Sequence, residues 1–159
     1  MLAVIGCGNL NRSDDGVGVV VVRALMARQA TGCSSIRIFD AGTGGMEVLF
    51  QARGAKKLVI VDACSSGSEP GSVFEVPGHA LEQEPKPSFN LHDFRWDHAL
   101  YAGRRIWVEN FPSDVTVFLI EAAALEYGLE LSPPVMRAAD IVTARIADLI
   151  KTYPDQARA

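Results

Sequence analysis

The sequence predicts a single α/β domain over residues 1–159, built as a three-layer sandwich in which helices flank a mainly parallel, twisted sheet. A chain of 159 residues fits one domain and can bury a substantial core. Short apolar runs alternate along the chain with amphipathic segments, which is the order expected when helices connect parallel strands. No internal repeat or low-complexity linker divides the chain, in agreement with one domain.

Four short apolar runs predict the buried strands of the sheet. Three of them contain almost no polar residues, and continuous hydrophobicity is typical of strands that are covered on both faces. A further short strand is predicted over residues 72–76, in a segment bracketed by prolines. The four main strands are predicted at residues 2–7, 36–39, 58–61 and 115–120.

Four helices are predicted between and after these strands. The valine-rich first helix follows a glycine loop, and its length favours a helix over a strand in spite of its β-branched residues. In the last helix Ser132 is the expected N-cap, and Pro133 and Pro134 occupy the first turn, where a missing N–H costs little. The first three helices are predicted at Val17–Arg28, Gly45–Ala52 and residues 91–107. Asn90 is the expected cap of the third helix.

Composition argues against several classes of function. The formal net charge is −4, and Lys and Arg are not clustered, so a nucleic-acid partner is not expected. The N-terminal apolar run leads directly into a glycine turn, which predicts a strand rather than a signal peptide. No apolar run is long enough for membrane insertion. The three cysteines lack CxxC spacing and indicate reduced thiols in the cytoplasm.

Acidic side chains follow each of the four main strands. Parallel strands joined by right-handed crossovers end at the same edge of a sheet, which is where ligands of such sheets bind. Carboxylates gathered at one edge repel each other unless a cation or a proton offsets their charge. These acids are Asp14 and Asp15 after the first strand, Asp40 after the second, Asp62 after the third and Glu121 after the fourth.

Asp15, Asp62 and His92 form the candidate metal site. Asp15 closes the loop after the first strand, Asp62 ends the third strand, and His92 opens the predicted third helix. Two carboxylates and an imidazole suit a divalent transition metal such as nickel or zinc. Each residue alone also has a simpler explanation, as a helix-start charge, a turn cap or a surface histidine. Glu121 is an alternative metal neighbour or a helix-start charge, and Asp40 could orient a metal ligand or hold a loop.

The remaining candidate ligands are weaker. His79 lies in an irregular connection, and His98 lies on an amphipathic helix where packing is the simpler explanation. Cys64 follows Asp62 closely, so it is either a soft ligand or a buried, inert thiol. The sequence contains no G-x-S-x-G motif, so a serine hydrolase with a nucleophile elbow is not expected.

The glycine loop also invites comparison with dinucleotide-binding loops. That fingerprint requires a third glycine, at a position where this chain has Asn11. Asp40 could still serve as the acid that binds a ribose. However, Asp14 and Asp15 would place negative charge where a pyrophosphate needs the positive end of a helix dipole. The loop is therefore a weak indication of nucleotide binding.

Three sequence blocks together resemble the nickel–iron hydrogenase maturation endopeptidases, and their combination is more specific than any one block. The order of strands and helices agrees with that family over nearly the whole chain, least well over residues 77–90 and after Tyr153. The blocks are residues 6–9 with 14–18, which form the glycine–asparagine–acid signature, residues 40–47, and residues 59–63 followed by His92.

The resemblance implies an activity and a partner. The enzyme would make one cut that removes the C-terminal extension of a nickel–iron hydrogenase large-subunit precursor, after nickel has entered that precursor. The family's metal-contacting residues would fall on Asp15, Asp62 and His92, with Asp14 as an adjacent competitor. Nickel would be carried by the substrate precursor rather than held tightly by the free enzyme.

Two other functions are alternatives to this one. The first is a Rossmann-like nucleotide or small-ligand binding domain without protease activity. The second is a constitutive metallohydrolase whose three ligands retain zinc in the free enzyme.

Overall fold

Five strands form one sheet: β1 (Leu2–Cys7), β2 (Ile36–Gly42), β3 (Lys57–Cys64), β4 (Val73–Pro77) and β5 (Asp114–Glu121). The computed structural model, which describes residues 1–28, 35–86 and 94–153, orders them β2-β1-β3-β5-β4. The pairs β1–β2, β1–β3 and β3–β5 are parallel, and β4 is antiparallel to β5. The predicted mainly parallel sheet is confirmed, and each predicted strand lies within or beside its observed range.

Two pairs of helices cover the sheet. The helices are α1 (Val17–Arg28), α2 (Gly45–Ala52), α3 (Trp96–Ile106) and α4 (Pro133–Thr152). Helices α1 and α4 contact each other on one face, and α2 and α3 contact each other on the opposite face. The predicted bounds of α1 and α2 are confirmed, and α4 begins directly after Ser132 as predicted.

The interior strand β1 contributes to both hydrophobic cores. All six of its residues are buried. Leu2 and Val4 pack into the core beneath α1 and α4, whereas Ala3 and Ile5 pack into the core beneath α2 and α3. A strand with two apolar faces is stable only between two layers of helices, which explains its continuous hydrophobic sequence.

Helix α3 begins later than the sequence predicts. Phe94 and Arg95 precede it, and Arg95 has extended backbone angles (φ −94°, ψ 177°). The Arg95 N–H donates to Nδ1 of His98 at 3.4 Å, and the His98 N–H donates to Asp97 at 2.9 Å. The prediction of helix through residues 94 and 95 is therefore wrong, because Arg95 takes the extended N-cap position and side chains of the first turn accept the N–H groups of Arg95 and His98. Residues 90–93, with the predicted cap and His92, lie outside the described residues.

The start of α1 lies directly against the sheet. A Cβ atom at Gly18 would overlap the backbone carbonyl oxygens of Cys7 and Val61. Only glycine permits this close approach of a helix to the ends of two parallel strands. The packing of Gly18 therefore places the loop before α1 beside the carboxyl ends of β1 and β3.

Two further findings bear on the sequence predictions. Within residues 1–28, 35–86 and 94–153, no helix has both the length and the apolar character needed to cross a membrane. Cys7 and Cys64 are free thiols, and Cys33 lies outside the described residues.

Candidate metal-recognition site

A cavity of about 280 Å³ opens at the carboxyl ends of the central strands, and both Asp15 and Asp62 line it. The fold thus brings together two acids that are 47 positions apart in the sequence (62 − 15 = 47). The remaining wall combines a glycine-rich turn, two arginines and apolar groups, namely Cys7, Gly8, Arg12, Gly42, Thr43, Gly44, Gly45, Val48, Arg95 and Trp96.

Asp15 reaches the cavity from a tight loop and a 3₁₀ turn, Ser13–Gly16. Gly8 has a φ of +126°, and a Cβ atom there would overlap the carbonyl oxygen of Asp15, so the loop folds back closely on itself. The Asn9 N–H donates to Oδ2 of Asp15 at 3.1 Å. Among the described residues this is the one hydrogen bond that the carboxylate accepts, which leaves acceptor positions for a ligand.

Asp62 is held more firmly, at the end of β3. It is only 6% exposed. Its Oδ2 accepts the indole N–H of Trp96 at 2.6 Å, and its Oδ1 accepts the N–H of Ala63 at 2.8 Å. The guanidinium of Arg95 lies 3.5 Å from Oδ2. Asp62 is therefore a buried carboxylate with a fixed orientation at the cavity wall.

Burial raises the pKa of Asp62 from its usual 3.8 to about 6. The hydrogen bond from Trp96 and the charge of Arg95 oppose this rise, whereas the negative charge of Asp15 adds to it. Burial and the nearby Asp62 also raise the pKa of the Cys7 thiol well above its usual value. The cavity thus disfavours additional negative charge and would gain from a cation.

The raised pKa of Asp62 predicts a specific pH dependence of stability. The folded state resists ionisation of this carboxyl group, so the contribution of Asp62 to wild-type stability declines as pH rises from about 4 through about 6. The free energy of unfolding of Asp62→Asn minus that of wild type should therefore increase by about 2 to 3 kcal/mol between about pH 4 and about pH 8. Denaturant unfolding of both metal-free proteins at the two pH values measures this difference. A difference that stays constant would show that Asp62 is not desolvated.

Asp14, the neighbour of Asp15, is not a cavity residue. It is fully buried, and its carboxylate accepts hydrogen bonds from the N–H groups of Ala123, Ala124 and Ser132 and from the Ser132 hydroxyl, at 2.7–2.9 Å. Burial raises the pKa of Asp14, but these donors outweigh it and the net shift is downward. Asp14 therefore fastens the loop after β5 to the loop after β1. Ser132 occupies the N-cap position, but its hydroxyl serves Asp14 instead of the helix.

Glu121 is also occupied by its surroundings. It is buried at the end of β5 and accepts hydrogen bonds from Ser66 N–H, Ser66 Oγ, Gly67 N–H and the Cys64 thiol. Burial of the Cys64 thiol and its hydrogen bond to Glu121 raise the pKa of Cys64 to about 12. Cys64 is thus a protonated hydrogen-bond donor, and Glu121 holds the loop that follows β3.

Asp40 and His98 likewise have structural partners. Asp40 pairs with Arg23 at 2.9 Å and accepts the Gly42 N–H at 3.0 Å, which holds the turn after β2. His98 accepts the Arg95 N–H at the start of α3. Of the five acids that follow the strands, Asp15 and Asp62 are the two that line the cavity.

The part of the chain that the structure describes contains no set of three His, Cys, Asp or Glu side chains that could hold a metal ion. His92, the third predicted ligand, lies outside the described residues. The metal-contacting role of Asp15, Asp62 and His92 accordingly stays a prediction.

Two cavity residues that contact Asp62 are not among the metal-site residues predicted from the sequence. Trp96 and Arg95 both contact Asp62, and both also line an adjoining cavity of about 310 Å³ that shares Asp15. Their position only three and four residues after His92 was the available signal. A tryptophan at a helix start is otherwise read as a packing residue.

Comparison with known proteins adds independent findings. The family model described as hydrogenase maturation protease matches residues 19–149. A putative hydrogenase maturation protease of Methanocaldococcus jannaschii is 32% identical over 94 residues, which is 58% of this chain and 60% of that protein. The hydrogenase 2 maturation protease of Escherichia coli is 28% identical over 135 residues, which is 84% of this chain and 80% of that protein.

A solved structure agrees with the fold. The hydrogenase-maturating endopeptidase HybD from E. coli superposes with a TM-score of 0.78 at 25% sequence identity. The match covers 96% of this chain and 93% of that chain. The similarity of fold thus extends over almost the whole chain.

Proposed function

The chain belongs to the hydrogenase maturation protease family, whose members are processing endopeptidases of hydrogenase, and we propose that it recognises nickel bound to its substrate. The substrate in this proposal is a nickel–iron hydrogenase large-subunit precursor that has already received nickel. The enzyme removes the C-terminal extension of that precursor by one cut in the cytoplasm. Nickel is carried by the precursor, and Asp15, Asp62 and His92 contact it.

The observation that supports this proposal most strongly is the sharing of one cavity by Asp15 and Asp62. Asp14, Asp40 and Glu121 are each occupied by hydrogen bonds or ion pairs within the protein. Two carboxylates at one cavity repel each other unless a cation lies between them. A substrate-borne divalent ion would relieve this repulsion when the precursor docks.

His92 supplies the third contact in this proposal. It precedes Arg95 by three positions, and three residues of chain span at most about 11 Å, while Arg95 itself lines the cavity. An imidazole binds a metal only when it is neutral, so recognition weakens at pH values where His92 is protonated. Three protein ligands leave the coordination incomplete, and the precursor's own thiolates would complete it.

Peptide hydrolysis then requires activation of the carbonyl or of the attacking water. The precursor's nickel can polarise the scissile carbonyl, and a cavity carboxylate can accept the proton of the water as its oxygen bonds to the carbonyl carbon. The C–N bond breaks when the amine leaves with a proton. Both routes depend on Asp15 and Asp62 being free to face the substrate.

A paired digestion tests the proposal. Purified enzyme is mixed with nickel-loaded or with nickel-free precursor, and the loss of the C-terminal extension is followed by mass spectrometry. We expect the loaded precursor to be cut at least about 100-fold faster, because loss of a metal contact costs at least as much as loss of an outer partner. Equal cutting of both precursors would rule out metal gating.

A His92→Ala variant belongs in the same assay. It should cut the nickel-loaded precursor much more slowly than wild type does, and unimpaired cutting would reject the role of His92. Metal analysis of the freshly purified enzyme tests the zinc alternative, since stoichiometric zinc would support a resident metal. The candidate ribose acid of the nucleotide alternative, Asp40, is paired with Arg23, which argues against that function.

A further inference from the structure

The hydrogen bond between Trp96 and Asp62 restrains the orientation of the Asp62 carboxylate. Both side chains are buried, at 7% and 6% exposure, and the indole nitrogen lies 2.6 Å from Oδ2 of Asp62. An indole N–H is a donor with no acceptor function, and a short bond to a charged acceptor is among the stronger hydrogen bonds. The ring therefore restrains Asp62 without offering a competing ligand.

The second oxygen of Asp62 is restrained separately. Ala63 N–H donates to Oδ1 at 2.8 Å. Because the two donors act on different oxygens, rotation of the carboxylate breaks at least one of the two bonds. Within the described residues Oδ1 accepts only the Ala63 bond and keeps one acceptor position, and the cavity lies beside this side chain.

The indole is itself well anchored. Trp96 is the first residue of α3 and belongs to the same hydrophobic core as Val48 and Leu100. A Cβ atom at Gly45 would overlap the Phe94 carbonyl oxygen, so the start of α2 packs tightly against the segment that leads into Trp96. Packing thus fixes the position of the Trp96 indole, and the indole in turn restrains the orientation of the Asp62 carboxylate.

Arg95 is a weaker restraint on the same oxygen. Its guanidinium lies 3.5 Å from Oδ2, and its side chain is 61% exposed. Exposed ion pairs of this kind contribute little, because water screens them. The buried indole is therefore the dominant restraint from outside β3.

We propose that Trp96 is a positioning residue, whose indole N–H sets the direction in which Asp62 presents its carboxylate to the metal of the docked precursor. This inference rests on the proposed function, because it assumes that Asp62 contacts that metal. Partners of this kind, which orient a metal ligand without touching the metal, typically change metal affinity by about 10- to 100-fold when they are removed.

The test replaces Trp96 by Phe, which keeps an aromatic ring and removes the N–H. Trp107→Phe is the matched control, since Trp107 packs between Phe50 and Phe111, and no described residue accepts a hydrogen bond from its indole. Single-turnover cutting of nickel-loaded precursor is measured over a range of precursor concentrations. We expect Trp96→Phe to weaken apparent affinity for loaded precursor by about 10-fold or more and Trp107→Phe to resemble wild type. Wild-type affinity in Trp96→Phe would overturn the proposal.

A second measurement on the wild-type protein covers the case in which Trp96→Phe fails to fold. The chain has two tryptophans, so a ¹⁵N-labelled sample gives two indole N–H resonances, and Trp107→Phe assigns them. Titration with Zn²⁺ should shift the Trp96 resonance and leave the Trp107 resonance in place. Zn²⁺ binding that leaves the Trp96 resonance unmoved would overturn the positioning role. Failure of the proposed function is distinguishable, because wild type would then not discriminate between loaded and nickel-free precursor.

Discussion

Replacing Asp15 by Asn should nearly abolish cutting of the nickel-loaded precursor while leaving the protein as stable as wild type. Asp15 lines the cavity, and among the described residues its carboxylate accepts one hydrogen bond, from the Asn9 N–H at 3.1 Å. The amide oxygen of Asn can accept the same bond, so the free energy of unfolding should change by less than about 1 kcal/mol. The amide is a poor metal ligand without negative charge, so we expect a rate loss of about 100-fold or more.

The measurement combines mass-spectrometric cutting assays with denaturant unfolding of the same preparation. Full-rate cutting by Asp15→Asn would remove Asp15 from the metal site. A large loss of stability instead would mean that the carboxylate has a structural task that its single hydrogen bond does not reveal.

An Asp-to-Asn replacement one residue earlier, at Asp14, should instead lower stability and leave the cutting activity of the folded protein intact. Asp14→Asn should lower the free energy of unfolding by about 2 to 4 kcal/mol, because an amide group would confront N–H donors that now bind a charged oxygen. Typical domains have only about 5 to 15 kcal/mol of stability, so this loss is large. The molecules that remain folded should still cut, since Asp14 does not line the cavity.

Unfolding curves at neutral and acidic pH check this prediction. The pKa of Asp14 is lowered in the folded state, so its contribution is present above the unfolded pKa and declines as pH falls through the folded value. The deficit of Asp14→Asn relative to wild type should therefore shrink in acid. Unchanged stability at neutral pH, or a cutting defect without loss of stability, would reverse the assignment of the two aspartates.

The contrast between Asp14 and Asp15 shows what the sequence could and could not predict. Local patterns were enough for the strands, because a segment such as β1, buried on both faces, must be apolar throughout. Topology was enough to bring the acids to one edge. Neither rule says which of the two adjacent aspartates is buried and which lines the cavity. That outcome depends on a 3₁₀ turn and on hydrogen-bond donors contributed by residues 123–132.

The start of α3 could not be predicted for a related reason. The apolar period of residues 91–107 fits a longer helix, but Arg95 is extended where the chain packs against Gly45. Asp40 and Glu121 were equally ambiguous, since their partners Arg23 and Ser66 are close in space and not in sequence. Tertiary contacts, rather than local propensity, decide these features.

In the proposed site, Asp15, Asp62 and His92 meet on one metal ion. Anomalous diffraction from crystals of the enzyme soaked in a nickel salt can locate that ion. We expect one anomalous peak in the cavity, with Asp15, Asp62 and His92 each contributing an atom at about 2.0–2.3 Å. A peak that contacts Asp14, Asp40 or Glu121 instead, or an ion in the cavity without His92, would show that these three residues do not form the metal site.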